Sequence, residues 1–432
     1  MVRRRIAVVG LAALLLTGGG GVVGLHHGSD NVDAAPAAAA PVDRLAAGSA
    51  RAQQRLRVVP GDYVTWAALG SAYLERARIS ADPSYYPKAE GALRRSLTVR
   101  SDGNAAALVG LGALANARHE FAAARDLARR ALRIDPYSAT AYGVLADAQT
   151  QLGDPGAATS AVQRMLDLRP GLAAYARASY DLEQHGRLAE AESLIRRALE
   201  AAVDPADIAF CRYQLGELAW QTGRLDAASA EYSAGRATDR SYLPLLAGQA
   251  RVADALGRTG EALTGYAELT ARYPTPGYLI EYAELLRAVG QRAGADEQLA
   301  LAAAALGLFA ANGGTDDLGA AQLALAQDRP AYAVRAARRE WSRRHFADVA
   351  DVLGWALHQA GSDAQGLLYA RRASALGARN AGYLFHLGMI ELALGKTGAA
   401  RRDLSAALAL NRHFSPRYAP VAEAALSQLG AR

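Results

Sequence analysis

The chain has 432 residues, 51% of them hydrophobic, and a formal net charge of +6 from 48 basic and 42 acidic side chains. A basic excess raises the question of nucleic acid or an anionic membrane, but the arginines are spread along the chain and form no long run. Cys211 is the single cysteine, which excludes an intramolecular disulfide and a cysteine-rich zinc site.

The first 34 residues have the three parts of a secretory signal. Arg3, Arg4 and Arg5 form the charged region, the apolar stretch IAVVGLAALLLT follows, and small residues lead to a candidate cleavage site after Ala34. We therefore expect residues 1–34 to export the chain as a signal peptide. An uncleaved membrane anchor is the alternative, because the apolar stretch counted through Leu25 reaches about 20 residues, the length of a membrane span.

Residues 35–42 consist of alanine, proline and valine without a period, and this composition predicts a tether. Residues 43–59 then predict one amphipathic helix that ends at Pro60. We expect this helix to cap the N-terminal end of a folded body that spans residues 43–432.

A repeat begins at Tyr63. Pro136 and Pro170 lie 34 residues apart, and between them Tyr142 and the turn glycine Gly153 fall at the offsets of a helix-turn-helix unit. This pattern resembles the tetratricopeptide repeat. The resemblance covers the chain to about residue 410 and implies an all-α solenoid, because one such unit cannot bury its apolar face without stacking on copies of itself.

We count ten units. The later turns are marked by glycines, and the unit that lacks one is placed with its turn near Asp328 and its small residue at Ala333. Small residues where two helices cross allow the close approach that helix packing needs. The turn glycines are Gly153, Gly186, Gly223, Gly257, Gly290, Gly361 and Gly395. The crossing pairs are Gly70 with Ala89, Gly112 with Ala124, Gly216 with Ala228, and Gly388 with Ala400.

Three features depart from the repeat. An insertion lies around residues 79–85, a long alanine-rich helix is predicted over residues 298–311 with the turn NGGTDD, and most later units lack the closing proline. After the last unit, residues 414–430 predict a final amphipathic helix, opened by Ser415 and Pro416, that caps the C-terminal end.

Motifs of enzymes are absent from the sequence. It contains no P-loop, no H-E-x-x-H and no G-x-S-x-G. Apart from His26 and His27 beside the apolar stretch, the histidines stand singly. His358 and His386 could approach each other across adjacent units, but two histidines without a carboxylate between them favour a surface position. We expect no catalytic site, metal site or cofactor.

The resemblance also implies where a ligand would lie. In tetratricopeptide proteins the first helix of each unit lines the concave groove, and its second, fifth, ninth and twelfth positions point inward. Those offsets give mixed charges and aromatic side chains, which we expect to face solvent and to hold a peptide. The candidates are Tyr180, Tyr213, Glu217, Trp220, Arg251, Asp254, Glu284, Arg287, Asp351, Trp355 and His358.

A structural interpretation of the same residues stays open. Arg251 with Asp254, and Glu284 with Arg287, are three apart on a helix and could simply pair with each other. Trp220 could pack against the next unit instead of facing the groove.

The sequence therefore predicts an exported scaffold or adaptor that binds a peptide or protein segment, with no nucleic acid as partner. The abundance of arginine and alanine indicates a high-GC genome, and the chain resembles exported tetratricopeptide proteins of high-GC actinobacteria. The alternative is a cytoplasmic regulatory or nucleic-acid-associated repeat protein whose N-terminus mimics a signal.

Overall fold

The structure is a computed structural model that describes residues 41–430. All regular secondary structure in this range is helical. The bounds of the helices are Pro41–Val58 (α1), Tyr63–Ser80 (α2), Tyr85–Val99 (α3), Ala105–Ala117 (α4), Phe121–Ile134 (α5), Ala139–Leu152 (α6), Pro155–Leu168 (α7), Leu172–Gln184 (α8), Leu188–Ala201 (α9), Pro205–Gln221 (α10), Leu225–Thr238 (α11), Pro244–Ala255 (α12), Thr259–Arg272 (α13), Pro276–Ala288 (α14), Arg292–Ala311 (α15), Asp317–Ala326 (α16), Pro330–Trp341 (α17), Ala347–Gln359 (α18), Asp363–Ala373 (α19), Ala381–Ala393 (α20), Thr397–Leu410 (α21) and Ala419–Gly430 (α22).

The helices from α2 to α21 form ten hairpins, which we number repeats 1 (α2–α3) to 10 (α20–α21). Each hairpin packs most extensively within itself and then against the next one, with α1 and α22 at the two ends. The all-α solenoid of ten units with capping helices is thus confirmed. Among the later units, the one without a turn glycine is repeat 8, where Asp328 has a φ of 57° and Ala333 is buried.

Local sequence signals start and end these helices. The side chains of Asn104 and Ser138 accept hydrogen bonds from the backbone of the first turns of α4 and α6, which satisfies amides that have no partner inside a helix. The turn at Gly153 has a φ of 80°, a left-handed conformation that costs glycine little. At the predicted crossing in repeat 2, a Cβ on Gly112 would lie 3.4 Å from the carbonyl oxygen of Ala124. The small residue there lets α4 and α5 approach.

The ends of the chain differ in detail from the expectation. Helix α1 begins at Pro41, within the last residues assigned to the tether. Helix α22 begins only at Ala419, because the Ser415 hydroxyl accepts hydrogen bonds from the amides of Arg417 and Tyr418 and closes a separate turn. The predicted signal peptide and most of the tether lie outside the described residues. Within residues 41–430 no helix combines the length and apolarity of a membrane span.

Successive turns of the superhelix touch each other. The hydroxyl of Tyr273 donates to the carbonyl of Arg78 at 3.0 Å, and the amide of His345 donates to the carbonyl of Leu152 at 3.2 Å. The Asn411 side chain donates to the carbonyl of Trp220 at 2.7 Å, across 191 positions of sequence. In each case the turn inside one repeat meets the loop that follows the repeat five units later. The concave groove is therefore enclosed, and we call the space inside it the lumen.

Candidate functional site

All eleven candidate residues lie on first helices, as the repeat offsets require. These helices contact one another along the inside of the superhelix, for example α10 with α12 and α14 with α16. The structure brings the candidates of α8, α10 and α12, together with Glu284 of α14, into one region of the lumen, whereas Arg287 lines neither of its cavities. Those of α18, namely Asp351, Trp355 and His358, form a second cluster with residues of α20.

The aromatic candidates do not face solvent. Tyr213, Trp220 and Trp355 are 5%, 8% and 1% exposed, so their expected solvent-facing placement is wrong. The physical reason is that neighbouring repeats and the next superhelical turn cover them. The ring of Tyr213 lies 5.8 Å from that of Tyr242, whose loop joins repeats 5 and 6. Its packing thus belongs to the core, as the structural interpretation allowed.

Trp220 both packs against other parts of the chain and faces the groove, the two alternatives that the sequence left open. Its backbone carbonyl holds Asn411 of the next superhelical turn, while its ring lines two cavities of the lumen. The Arg251 guanidinium lies 5.9 Å from the centre of the indole ring, within the range of a cation–π contact. Whether these aromatic residues bind a partner stays a prediction.

The charged candidates pair between repeats. Arg251 lies 3.0 Å from the Glu217 carboxylate of the repeat before it and 3.6 Å from the Glu281 carboxylate of the repeat after it. The hydroxyls of Tyr232 and Tyr266 donate to the same two carboxylates at 2.7 and 3.1 Å. Arg251 therefore has partners other than Asp254. The first helices of adjacent repeats pack side by side, which brings their carboxylates within reach of its guanidinium.

Asp254 and Arg287 also find partners outside the expected pairs. Asp254 accepts a hydrogen bond from the Thr259 hydroxyl at 3.3 Å. Arg287 pairs with Asp296 at 3.1 Å and donates to the carbonyl of Ala326 in the next repeat.

Buried carboxylates outnumber cations in this part of the lumen. Burial, together with the charges of Glu217 and Asp348, raises the pKa of Glu183 to about 7. Burial also raises the pKa of Glu281, against the opposing effect of Arg251. The pKa of Asp348 rises to about 6 through burial, although the Tyr383 hydroxyl that donates to it opposes the shift. Burial is the largest cause of each raised pKa, so these carboxyl groups hold their protons more tightly than they would in solvent.

The cluster on α18 is built around Trp355. The ring of His386 stacks on the indole at 4.3 Å and that of His358 at 4.8 Å. His386 is buried and lies 2.8 Å from the Asp351 carboxylate, which makes the surface position expected for it wrong. Asp351 and His386 are on first helices of adjacent repeats, so the pair joins repeats 9 and 10.

Two cavities lie in the lumen. The larger has a volume of about 260 Å³ and lies between α10, α12, α14 and the C-terminal segment Arg412–Glu423, with Trp220, Asp254 and Glu284 in its wall. The smaller, of about 100 Å³, lies beside Tyr180 and Glu183. The sequence offsets found the first-helix walls but missed Glu281, Tyr266 and the C-terminal segment, since only contact between superhelical turns brings that segment inside.

Two further observations concern metal binding and the reactivity of the single thiol. Among residues 41–430, no three histidine, cysteine or carboxylate side chains are grouped closely enough to hold a metal ion. The Cys211 thiol is fully buried, and burial raises its pKa to about 12.

Comparisons with known proteins give structural resemblance only. No protein-family model matches the chain, and no curated protein matches it by sequence. A tetratricopeptide repeat protein of Parabacteroides merdae is 18% identical over 60% of this chain and 98% of its own, with a TM-score of 0.36.

Two larger solved structures cover more of the chain. The Cut9–Hcn1 hetero-tetramer of the APC/C is matched at 13% identity over 90% of this chain and 96% of that one, with a TM-score of 0.40. Yeast Tom70 is matched at 15% identity over 83% and 87%, also with a TM-score of 0.40. All three TM-scores are below 0.5.

Proposed function

We propose that this chain is an exported scaffold whose lumen binds a segment of a partner protein. The observation that carries the proposal is the cavity of about 260 Å³, which combines the apolar face of Trp220 with the carboxylates of Asp254, Glu281 and Glu284. Binding sites for small molecules are mostly apolar cavities of roughly this size or larger, with a few polar side chains that point toward the ligand. This cavity suits one anchoring side chain better than a whole ligand.

The charge of the cavity favours a basic anchor. Arg251 is already balanced by Glu217 and Glu281, whereas burial raises the pKa of Asp254 and thereby disfavours its charged form. An arginine or lysine of a partner would supply the missing cation and could also stack on Trp220. Phosphate groups would meet the same carboxylates unfavourably, which argues against nucleic acid in the lumen.

In a scaffold of this kind, the lumen carboxylates Glu217 and Glu281 perform no catalytic step. Glu217 is held by Tyr232 and Arg251, and Glu281 by Tyr266 and Arg251. Such contacts fix the two side chains within the wall. They serve packing and charge balance between repeats 5, 6 and 7.

Export is part of the proposal and rests on the order of charged, apolar and small residues in the first 34 positions. The test is a fusion of residues 1–40 to a reporter that is active only outside the cytoplasm. We expect an active reporter. An inactive reporter, with the full-length chain in the cytosol, would support the cytoplasmic alternative.

Binding is tested with the chain from Ala35 as bait in extracts of the cell envelope and the culture medium. We expect a partner whose capture falls about tenfold on Asp254→Asn, which keeps the shape of the side chain but removes its charge. The matched control is Asp226→Asn on the second helix α11, where the side chain is exposed. Equal capture by both variants would show that the cavity is not the binding site.

A further inference from the structure

The contact between superhelical turns uses only one end of each repeat. We call the end of a hairpin that carries the turn between its two helices the turn end, and the opposite end, with the loop to the next repeat, the loop end. Repeats 1 to 5 make the contact through their turn ends, and repeats 6 to 10 make it through their loop ends. The loop ends of the first superhelical turn and the turn ends of the second therefore lie at the two opposite ends of the molecule.

These two end surfaces are built from equivalent parts of the repeats. The loop face consists of the C-terminal ends of α1, α3, α5, α7 and α9 with the loops that follow them. The turn face consists of the turns of repeats 6, 7, 9 and 10, because the turn of repeat 8 pairs with Arg417. A Cβ on the turn glycine would have no atom of the described chain within 4 Å at Gly257, Gly290, Gly361 and Gly395. The turn face is thus the kind of surface that repeats 1 to 5 bury, without the second superhelical turn against it.

Both faces expose large apolar side chains. The three most exposed ones in the described part of the chain lie on the loop face at 73% to 88%, and they are Val58, Tyr137 and Val203. On the turn face, Leu256 and Val289 directly precede the turn glycines and are 48% and 40% exposed. Terminal repeats of a soluble solenoid usually have polar outer surfaces, whereas clustered apolar side chains mark interaction surfaces. Each face is therefore suited to a protein contact.

The contact inside the molecule shows what such a turn binds. Leu152, which precedes Gly153 as Leu256 precedes Gly257, accepts a hydrogen bond from the His345 amide at 3.2 Å. His345 lies in the loop after a second helix, five repeats further along. The two turns have the same backbone conformation, with φ values of 80° at Gly153 and 75° at Gly257. The surface that fits the turn face is thus the loop end of another repeat, and the loop face of this chain supplies such ends.

The helices at the two chain ends are unpaired halves of hairpins. Helix α22 packs against α21 as a first helix packs against the repeat before it, and α1 packs against α2 as a second helix packs against the repeat after it. Val421 and Ala424 lie on one exposed side of α22, and Ala47 and Ala50 lie on one exposed side of α1. Small side chains let two helices cross closely. The two ends can therefore pair as the two helices of one hairpin do.

We propose that the loop face of one copy of this chain binds the turn face of a second copy, so that the superhelix continues from one molecule into the next. Helix α22 of the first copy and α1 of the second then complete an eleventh hairpin. Because each turn meets the loop five repeats later, the turn of repeat 6 meets the loop after this hairpin. Leu256 thus packs against Val58 and Val59 of the second copy.

This contact extends the interface that already joins the two superhelical turns of one molecule. It is head-to-tail, so every assembly keeps one free loop face and one free turn face. Such a contact builds assemblies that grow by adding copies at their ends. The inference concerns the ends of the superhelix and does not depend on what the lumen binds.

The test is sedimentation velocity of the chain from Ala35 over a wide range of concentration, with circular dichroism to verify folding. We expect the wild type to associate beyond the dimer as its concentration rises. Leu256→Glu or Val59→Glu introduces a charge into the contact and should weaken association at least about tenfold. Both side chains are exposed in the single copy, so neither variant should unfold it. Leu301→Glu is the matched control, because this leucine is 51% exposed in the middle of α15 and belongs to neither face.

A mixture of the two glutamate variants distinguishes a head-to-tail contact from a symmetric one. The Leu256→Glu copy keeps an intact loop face, and the Val59→Glu copy keeps an intact turn face. An equal mixture should therefore form dimers and nothing larger.

Cross-linking checks the register. Copies with Leu256→Cys and copies with Val59→Cys should form a disulfide-linked dimer when they are mixed under oxidising conditions, and neither should do so alone. The native thiol of Cys211 is buried and does not interfere.

A wild type that stays monomeric at the highest concentration overturns the proposal, and so does a Leu301→Glu variant that associates as weakly as the other two. Cross-linking of Leu256→Cys copies with one another would show that turn faces pair symmetrically, which the proposal excludes. If the chain stays monomeric but Leu256→Glu lowers the capture of a partner, the turn face binds another protein and not a second copy. The dependence of capture on Asp254 is measured separately, so the proposed function stands or fails independently of these outcomes.

Discussion

Replacing Gly153 by alanine tests the contact between superhelical turns. A Cβ at this position would lie 2.5 Å from the backbone carbonyl oxygen of His345, in the loop that follows repeat 8. Ordinary van der Waals contact begins at 3.4 Å, so the two turns would have to separate by almost 1 Å. Overpacking of this kind costs roughly 1–3 kcal/mol, and the hydrogen bond from the His345 amide to Leu152 would weaken as well.

The left-handed conformation adds a separate cost that needs a control. Gly153 has a φ of 80°, where alanine loses about 1–2 kcal/mol. Gly290, the corresponding turn of repeat 7, has a φ of 82°, but a Cβ there would have nothing within 4 Å. Gly290→Ala therefore carries the conformational cost alone. The difference between the two variants isolates the contact between turns.

The assay is urea denaturation of both variants, combined with hydrogen exchange. We expect Gly153→Ala to lose about 1–3 kcal/mol more stability than Gly290→Ala. Exchange should quicken around Gly153 and also around His345, although these sites are far apart in sequence. Equal destabilisation by the two variants, with unchanged exchange near His345, would refute the stacked superhelix.

Three further predictions concern the interior. Because the pKa of Glu183 is raised from 4.5 to about 7, its protonated form stabilises the fold, and this contribution is complete below about pH 4.5 and lost as the pH rises through 7. We expect Glu183→Gln to be more stable than the wild type at about pH 8, by at most ~3 kcal/mol, with the gain shrinking below about pH 5 in urea titrations; a gain independent of pH would contradict this. Gly112→Leu should cost roughly 1–3 kcal/mol and loosen α4 to α6 in hydrogen exchange, since even a Cβ would lie 2.9 Å from Val144, and a uniform loss of protection along the chain would count against a local crossing defect. The Cys211 thiol, with its pKa raised to about 12, should resist iodoacetamide at about pH 8 until denaturant exposes it, whereas labelling of the native chain would place it nearer the surface.

The candidate site was predictable in part. The repeat offsets placed all eleven residues on the first helices, but they suggested Asp254 as the partner of Arg251 and did not predict its contacts with Glu217 and Trp220 of the repeat before. They could not show that Arg251 pairs with Glu281, because Glu281 is not at one of the four offsets. Nor could they bring in His413 and Phe414, which line the larger cavity because the segment after repeat 10 contacts repeat 5, far away in sequence.

The sequence by itself determined the ten hairpins. The 34-residue spacing of Pro136 and Pro170, the turn at Gly153 and the small residues at Gly112 and Ala124 all act over less than one repeat, where chain connectivity leaves few arrangements. Only the tertiary structure decided whether the groove is open or closed. Each repeat adds a small rotation to the one before, and the summed rotation over five repeats determines whether one superhelical turn meets the next. No local pattern records that sum, so the contact of Asn411 with Trp220 and the position of residues 411–418 beside the larger cavity appear only in the assembled superhelix.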